Sequence, residues 1–168
     1  MKLITVQSKK VLNTLLDGKV FIAGKNQGYL ADSYAVMQEY YDYDFTPIFC
    51  GKVGSLCEFY GITTTDAYIL QLDVPDKFCN FQSYYDWCDV IYYMEDPEEW
   101  HHPDVTLDEY IDQVLAGDYI DPRSPIQVTI PYILPEWLDD YISYTGKFDR
   151  MHNGSGGNNK LHTLRYYG

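Results

Sequence analysis

The stretch from Asp66 to Val74 constrains the fold more than any other. Tyr68, Leu70 and Leu72 alternate there with Ile69, Gln71 and Asp73 until Pro75 stops the run. A period of two over this length predicts a β-strand. A second signal predicts helix with equal clarity: Thr106 and Glu109 form a capping-box pattern ahead of a helix from Leu107 to Ala116, which Gly117 ends. One chain must therefore accommodate both element types.

The remaining elements follow from the same rules. Lys2 to Val6 predicts an opening strand, and Ser8 caps a helix from Lys9 to Asp17 that carries Val11, Leu12, Leu15 and Leu16 on one face. A second helix spans about Ser33 to Tyr41, capped by Asp32. A third spans Ser83 to Met94, with Trp87, Val90, Ile91 and Met94 at spacings of three and four. Short strands are predicted at Val20 to Ala23, Thr46 to Gly51, Ser55 to Tyr60 and Ile126 to Ile130, and a short helix from Pro135 to Tyr141. Strands and helices mix without regular βαβ alternation. The expected fold is α+β: a single compact domain with a small mixed or antiparallel sheet flanked by four to five helices.

With 168 residues, the chain matches one domain in size. We expect that domain over 1–150, a flexible Gly/Asn loop at 151–160, and an edge strand or tail at 161–168. The segment from His152 to Lys160 has three glycines, three asparagines and no apolar side chain. The apolar run Leu3 to Val6 is broken by Gln7, Ser8, Lys9 and Lys10, so no export signal is read there. No stretch has the ~20 apolar residues of a membrane span. The expected location is the cytoplasm. Cys50, Cys57, Cys79 and Cys88 contain no C-x-x-C pair, and buried thiols are expected rather than disulfides or zinc ligands.

Charge carries the functional argument. The formal net charge is −13, beyond the magnitude of ~2–8 that keeps a small domain soluble. Between Lys77 and Arg123 lie 45 residues without Lys or Arg, and twelve of them are carboxylates. Outside Val53 to Gly146 the chain has ten basic residues against six acidic ones, so the negative field is local. Such a field disfavours direct binding to nucleic acid or an anionic membrane and attracts basic proteins. Asp108 and Asp112 stand one helical turn apart with the same sign, an arrangement that costs the helix a few tenths of a kcal/mol. Six tyrosines share the stretch. Tyr110 and Trp100 are expected at a contact surface, whereas Trp87 is expected in the core. The candidate partner-binding residues are Asp86, Asp89, Glu95, Asp96, Glu98, Glu99, Trp100, Asp104, Asp108, Glu109, Tyr110, Asp112, Asp118 and Tyr119.

No reaction is legible. His101 and His102 beside Glu98, Glu99 and Asp104 form the only dense metal-like cluster, but adjacent histidines point apart on a helix or strand. Neither a G-x-S-x-G nor a Cys/His signature is present. The Asn153 to Asn159 segment lacks the lysine and helix of a phosphate-binding loop. No cofactor, metal or catalytic residue is expected.

Several motifs taken in order, "LITVQSKKVLNTLLDGKV" (Leu3 to Val20), "SYAVMQEYY" (Ser33 to Tyr41), "TPIF" (Thr46 to Phe49), "LQLDVPDKF" (Leu70 to Phe78), "YYDW" (Tyr84 to Trp87) and "IQVTIPYILPEWL" (Ile126 to Leu138), resemble the uncharacterised bacterial and phage family known as domain of unknown function 3841. That family is tryptophan-rich where this chain has Ile4 and Phe49. The resemblance implies a bacterial or phage origin and one continuous domain, and transfers no catalytic residue. In charge and size the chain also resembles phage inhibitors of restriction and CRISPR enzymes, whose acidic surfaces imitate a phosphate array. The first reading is accordingly an acidic, phage-type inhibitor that binds a basic, nucleic-acid-handling enzyme such as a nuclease. The alternative rests on Val6-Gln7-Ser8 through Gly18, which resembles the entry to ADP-ribosyltransferase domains. It implies an NAD-binding protein, active or degenerate, with Gln7, Tyr34 and Glu58 gathered around a pocket.

Overall fold

A computed structural model describes residues 1–25, 30–53, 67–118 and 124–144. The described residues build one six-stranded antiparallel sheet and four α-helices. The strands are β1 (Lys2–Ser8), β2 (Ile48–Lys52), β3 (Ala67–Asp73), β4 (Asn80–Ser83), β5 (Ile126–Ile130) and β6 (Leu138–Tyr144), in the order β4-β5-β2-β1-β3-β6. The helices are α1 (Lys9–Leu16), α2 (Ala31–Tyr41), α3 (Tyr84–Glu95) and α4 (Leu107–Ala116). The α+β expectation holds, with a larger sheet than the sequence suggested and every strand pair antiparallel.

Register divides the side chains between two faces, because residues paired across an antiparallel ladder share a face. Leu3 pairs with Leu72, Thr5 with Leu70, Ile48 with Ile130 and Cys50 with Val128. These residues form the first face. Val11, Leu12 and Leu15 of α1 join it in one buried cluster, closed below by Val74, Cys79, Ile133 and Trp137. On the second face Ile4, Val6, Ala67 and Ile69 form a smaller buried cluster. Towards β4 that face is covered by Met37 of α2, Trp87 and Val90 of α3, and Ile111, Val114 and Leu115 of α4, with Phe49 of β2 packed against them.

The second face also contains a polar layer. Gln82 and Thr129 are fully buried, and the Gln82 amide donates to Thr129 Oγ1 at 3.1 Å and to the Tyr41 hydroxyl. Tyr41 in turn donates to the Leu115 carbonyl at 2.6 Å. Asn80 donates to the Tyr43 hydroxyl at 2.6 Å, and Tyr43 donates to the Thr129 carbonyl. Burial pushes both phenols above the ordinary tyrosine value, so they remain neutral hydrogen-bonding groups.

Several elements differ from expectation: Asn80–Ser83 forms β4, and Asp32 sits in the first turn of α2 behind Leu30 at the N-cap rather than capping it. Pro135 opens only a 3-10 turn, Pro135–Trp137, and the chain then pairs with β3 as β6 instead of continuing as a helix. A single 3-10 turn is the commonest use of such geometry, and the aromatic Tyr141 and β-branched Ile142 suit a strand. Val20 to Ala23 contributes one bridge, Phe21 to Ile133, rather than a strand. The predicted strand at Ser55 to Tyr60, the loop at 151–160 and the segment 161–168 lie outside the described residues.

Candidate partner-binding surface

Most of the acidic stretch folds as a helical hairpin, α3 and α4 joined by a 3-10 turn at Pro97–Glu99 and the segment up to Thr106. The hydroxyl of Ser83 caps α3 by accepting from the Asp86 amide at 3.4 Å. Trp87 and Val90 point into the core, which leaves Tyr85, Asp89, Tyr92 and Glu95 outward. At α4 the capping box is complete: Thr106 Oγ1 accepts from the Glu109 amide, and the Glu109 carboxylate accepts from the Thr106 amide at 2.9 Å. That bond holds the Glu109 carboxyl below the usual carboxylate range. Gly117 ends α4 at φ 76, and a Cβ there would sit 3.1 Å from the Phe81 carbonyl oxygen.

Trp100 clasps the hairpin. Its indole N–H donates to the Val105 carbonyl at 2.9 Å, and its ring lies 5.0 Å from Tyr93 of α3 and 4.9 Å from Tyr110 of α4. His102 stacks on it at 5.9 Å. Trp100 is thus half-buried and spans the joint between the helices.

The carboxylates gather at that joint. Glu95, Asp96, Glu98, Glu99, Asp104, Asp108 and Glu109 fall within the closed end of the hairpin, and all seven belong to exposed residues. Asp112 is exposed one turn further along α4, and Asp118 is exposed beyond Gly117. Among the described residues, every ion pair lies elsewhere, between Met1 or Lys2 and Asp73, Asp76 or Asp139. The macrodipole accounts for Asp108 and Glu109 at the start of α4, but it opposes Glu95 and Asp96 at the end of α3. Helix stability therefore does not explain the tip.

Besides Trp100, Tyr110 and Asp86 take structural roles. Tyr110 is not a contact residue: it is 8% exposed in the core under α3 and α4, and its hydroxyl donates to Asp86 Oδ1 at 3.1 Å. The reason is helical periodicity, since Tyr110, Ile111, Val114 and Leu115 form one inward stripe of α4. Asp86 is half-buried by that same contact. Burial, then repulsion from Asp86, holds the Asp89 carboxyl above the ordinary value. Tyr119 lies outside the described residues. Tyr85 and Tyr92, outside the candidate set, are the exposed aromatic residues of α3. Their spacing from Asp89, four and three residues, was the available signal.

Two of the three residues named for the alternative pocket lie on opposite faces of the sheet. Gln7 shares the first face with Thr5, to which its amide donates at 3.0 Å. Tyr34 packs at a tilt against Phe49 on the second face, ring centroids 5.3 Å apart. Glu58 lies outside the described residues. Among the described residues no three His, Cys, Asp or Glu side chains converge as a metal site, and no helix is long and apolar enough to cross a membrane. Cys50, Cys79 and Cys88 are thiols rather than disulfides. Compared with protein-family models, with curated proteins and with solved structures, the chain matches none.

Proposed function

We propose that the chain is an acidic binding protein of the cytoplasm that occupies the nucleic-acid-handling surface of a basic enzyme and so inhibits it. The observation that carries this reading is the hairpin tip: seven exposed carboxylates, no compensating cation among the described residues, and an aromatic clasp that fixes their spacing. Duplex DNA presents one negative charge per ~1.7 Å of axis, and a basic groove shaped for it accepts a rigid carboxylate array of similar density. Pre-organisation matters because a partner then loses little freedom in ordering the acidic surface. The same field repels duplex and single-stranded nucleic acid, so the partner is the protein that handles them.

The test has two steps. Proteins captured on the immobilised chain at low salt are challenged with duplex DNA, which releases a partner held through its nucleic-acid groove. The Asp108→Asn, Glu109→Gln, Asp112→Asn variant should bind that partner more weakly and with a flatter salt dependence. Gln at 109 retains the capping box, so the helix is preserved. A partner that holds DNA and this chain together, or an affinity untouched by the three substitutions, overturns the reading.

A further inference from the structure

The outward face of α3 differs in kind from the tip beside it. Tyr85, Asp89 and Tyr92 occupy one stripe, with the two rings ~10 Å apart along the axis at ~1.5 Å per residue. The rings are 44% and 53% exposed. Each is braced by its neighbour: Tyr85 meets Tyr84 edge-on at 5.7 Å, and Tyr92 meets Tyr93 edge-on at 5.1 Å. Tyr93 is in turn fixed edge-on to Trp100. Between the rings stands Asp89, a carboxylate near Asp86 that no cation among the described residues compensates.

Three occupants can be weighed by charge. A second copy of the chain would bring two bodies of net charge −13 together, with carboxylate against carboxylate. An anionic membrane is repelled in the same way. A cationic segment is attracted by every group on the stripe. Among cations, a guanidinium can lie flat on a tyrosine face and still pair through its fork with a carboxylate, whereas an ammonium offers only a hydrated point charge.

We propose that the Tyr85, Asp89, Tyr92 face docks an arginine-bearing segment of the partner and selects arginine over lysine, with a guanidinium stacked on a ring and hydrogen-bonded to Asp89. This rests on the reading of the chain as a binder of a basic protein and specifies which side chain that partner supplies. Titration of the full-length chain at low salt with two fluorescent peptides of equal length, one alternating arginine with glycine and the other lysine with glycine, tests it. The arginine peptide should bind about tenfold more tightly, because a guanidinium can stack on a ring and pair through its fork with Asp89 at once. In the Tyr85→Leu, Tyr92→Leu double variant, confirmed as folded by circular dichroism, the two affinities should converge. Leucine keeps helix propensity and apolar cover while removing the rings. Equal affinities in the unmodified chain, or an arginine preference that survives in the double variant, overturn the selectivity and leave the acidic-binder reading standing. No binding of either peptide overturns both.

Discussion

Two groups of carboxylates on this molecule are in opposite electrostatic states. At the corner where β1, β3 and β6 meet, Lys2 Nζ lies 3.2 Å from Asp73 and 2.8 Å from Asp139, and the Gln71 amide donates to Asp139 at 2.8 Å. Hydrogen bonds from Lys2 hold both carboxyl groups below their ordinary range, and the two acids hold the Lys2 amine above its own. On α3 the sign reverses: burial and a like-charged neighbour raise Asp89. The corner is self-contained, while the hairpin keeps a charge that an outside cation could relieve. Acidic composition alone would not have separated the two.

Breaking the clasp should have the largest effect. Trp100→Ala removes the ring between Tyr93 and Tyr110 and should cost about 2–4 kcal/mol in urea unfolding, with binding to a basic partner lost and the corner unaffected. An unchanged midpoint would mean that the tip holds its shape without the clasp. Next comes Thr106→Ala, which deletes the hydroxyl half of the capping box and should cost about 1 kcal/mol. Hydrogen exchange concentrated in the first turn of α4 would locate the loss.

Two smaller effects sharpen the contrast through pH. Asp73 and Asp139 have folded pKa values below their unfolded ones, so the stability they contribute is present above about pH 4 and is lost as pH falls through the lowered values. Asp139→Asn should flatten that acid limb. Lys2 contributes below its unfolded value and loses this as pH rises through the raised one. Asp89 has the opposite sign to Asp139: ionisation is disfavoured in the folded chain, so the strain at neutral pH is relieved as pH falls through the raised value. Asp89→Asn should therefore stabilise at pH 7, by about a few tenths of a kcal/mol given its exposure. Destabilisation by that variant would show that Asp89 already has a favourable partner.

Where local chemistry decided the structure, the sequence could be read. Thr106, Glu109 and Gly117 bound α4 at the expected residues, Ser8 caps α1 as its type predicts, and the alternation around Leu70 is β3, whereas Asp32 does not cap α2. Where pairing decided it, local signals failed. Asn80–Ser83 is too short to show a period, yet it forms β4 because Gln82 and Phe81 find Gln127 and Val128 on β5. Leu138–Tyr144 follows a proline that suits a helix start, but β3 offered a full ladder. At the surface, composition identified the acidic hairpin and overlooked direction: the stripe that buries Tyr110 was visible at positions 110, 111, 114 and 115. The outward stripe of Tyr85, Asp89 and Tyr92 was visible in the same way.

The strand order has a consequence for how the chain reaches its native state. β2 at Cys50 pairs with β5 at Val128, β3 at Leu70 pairs with β6 at Tyr141, and among the described residues β4 has no ladder except through β5. Each pairing closes a long loop before it is rewarded, so folding should be slow relative to helical domains of this size. A nascent chain that has not yet exposed β5 to its partners can form only the β2-β1-β3 core, with β2 and β3 as bare edges. Open edges of that kind invite pairing between chains, and the acidic hairpin between β4 and β5 would then supply repulsion that keeps half-made copies apart.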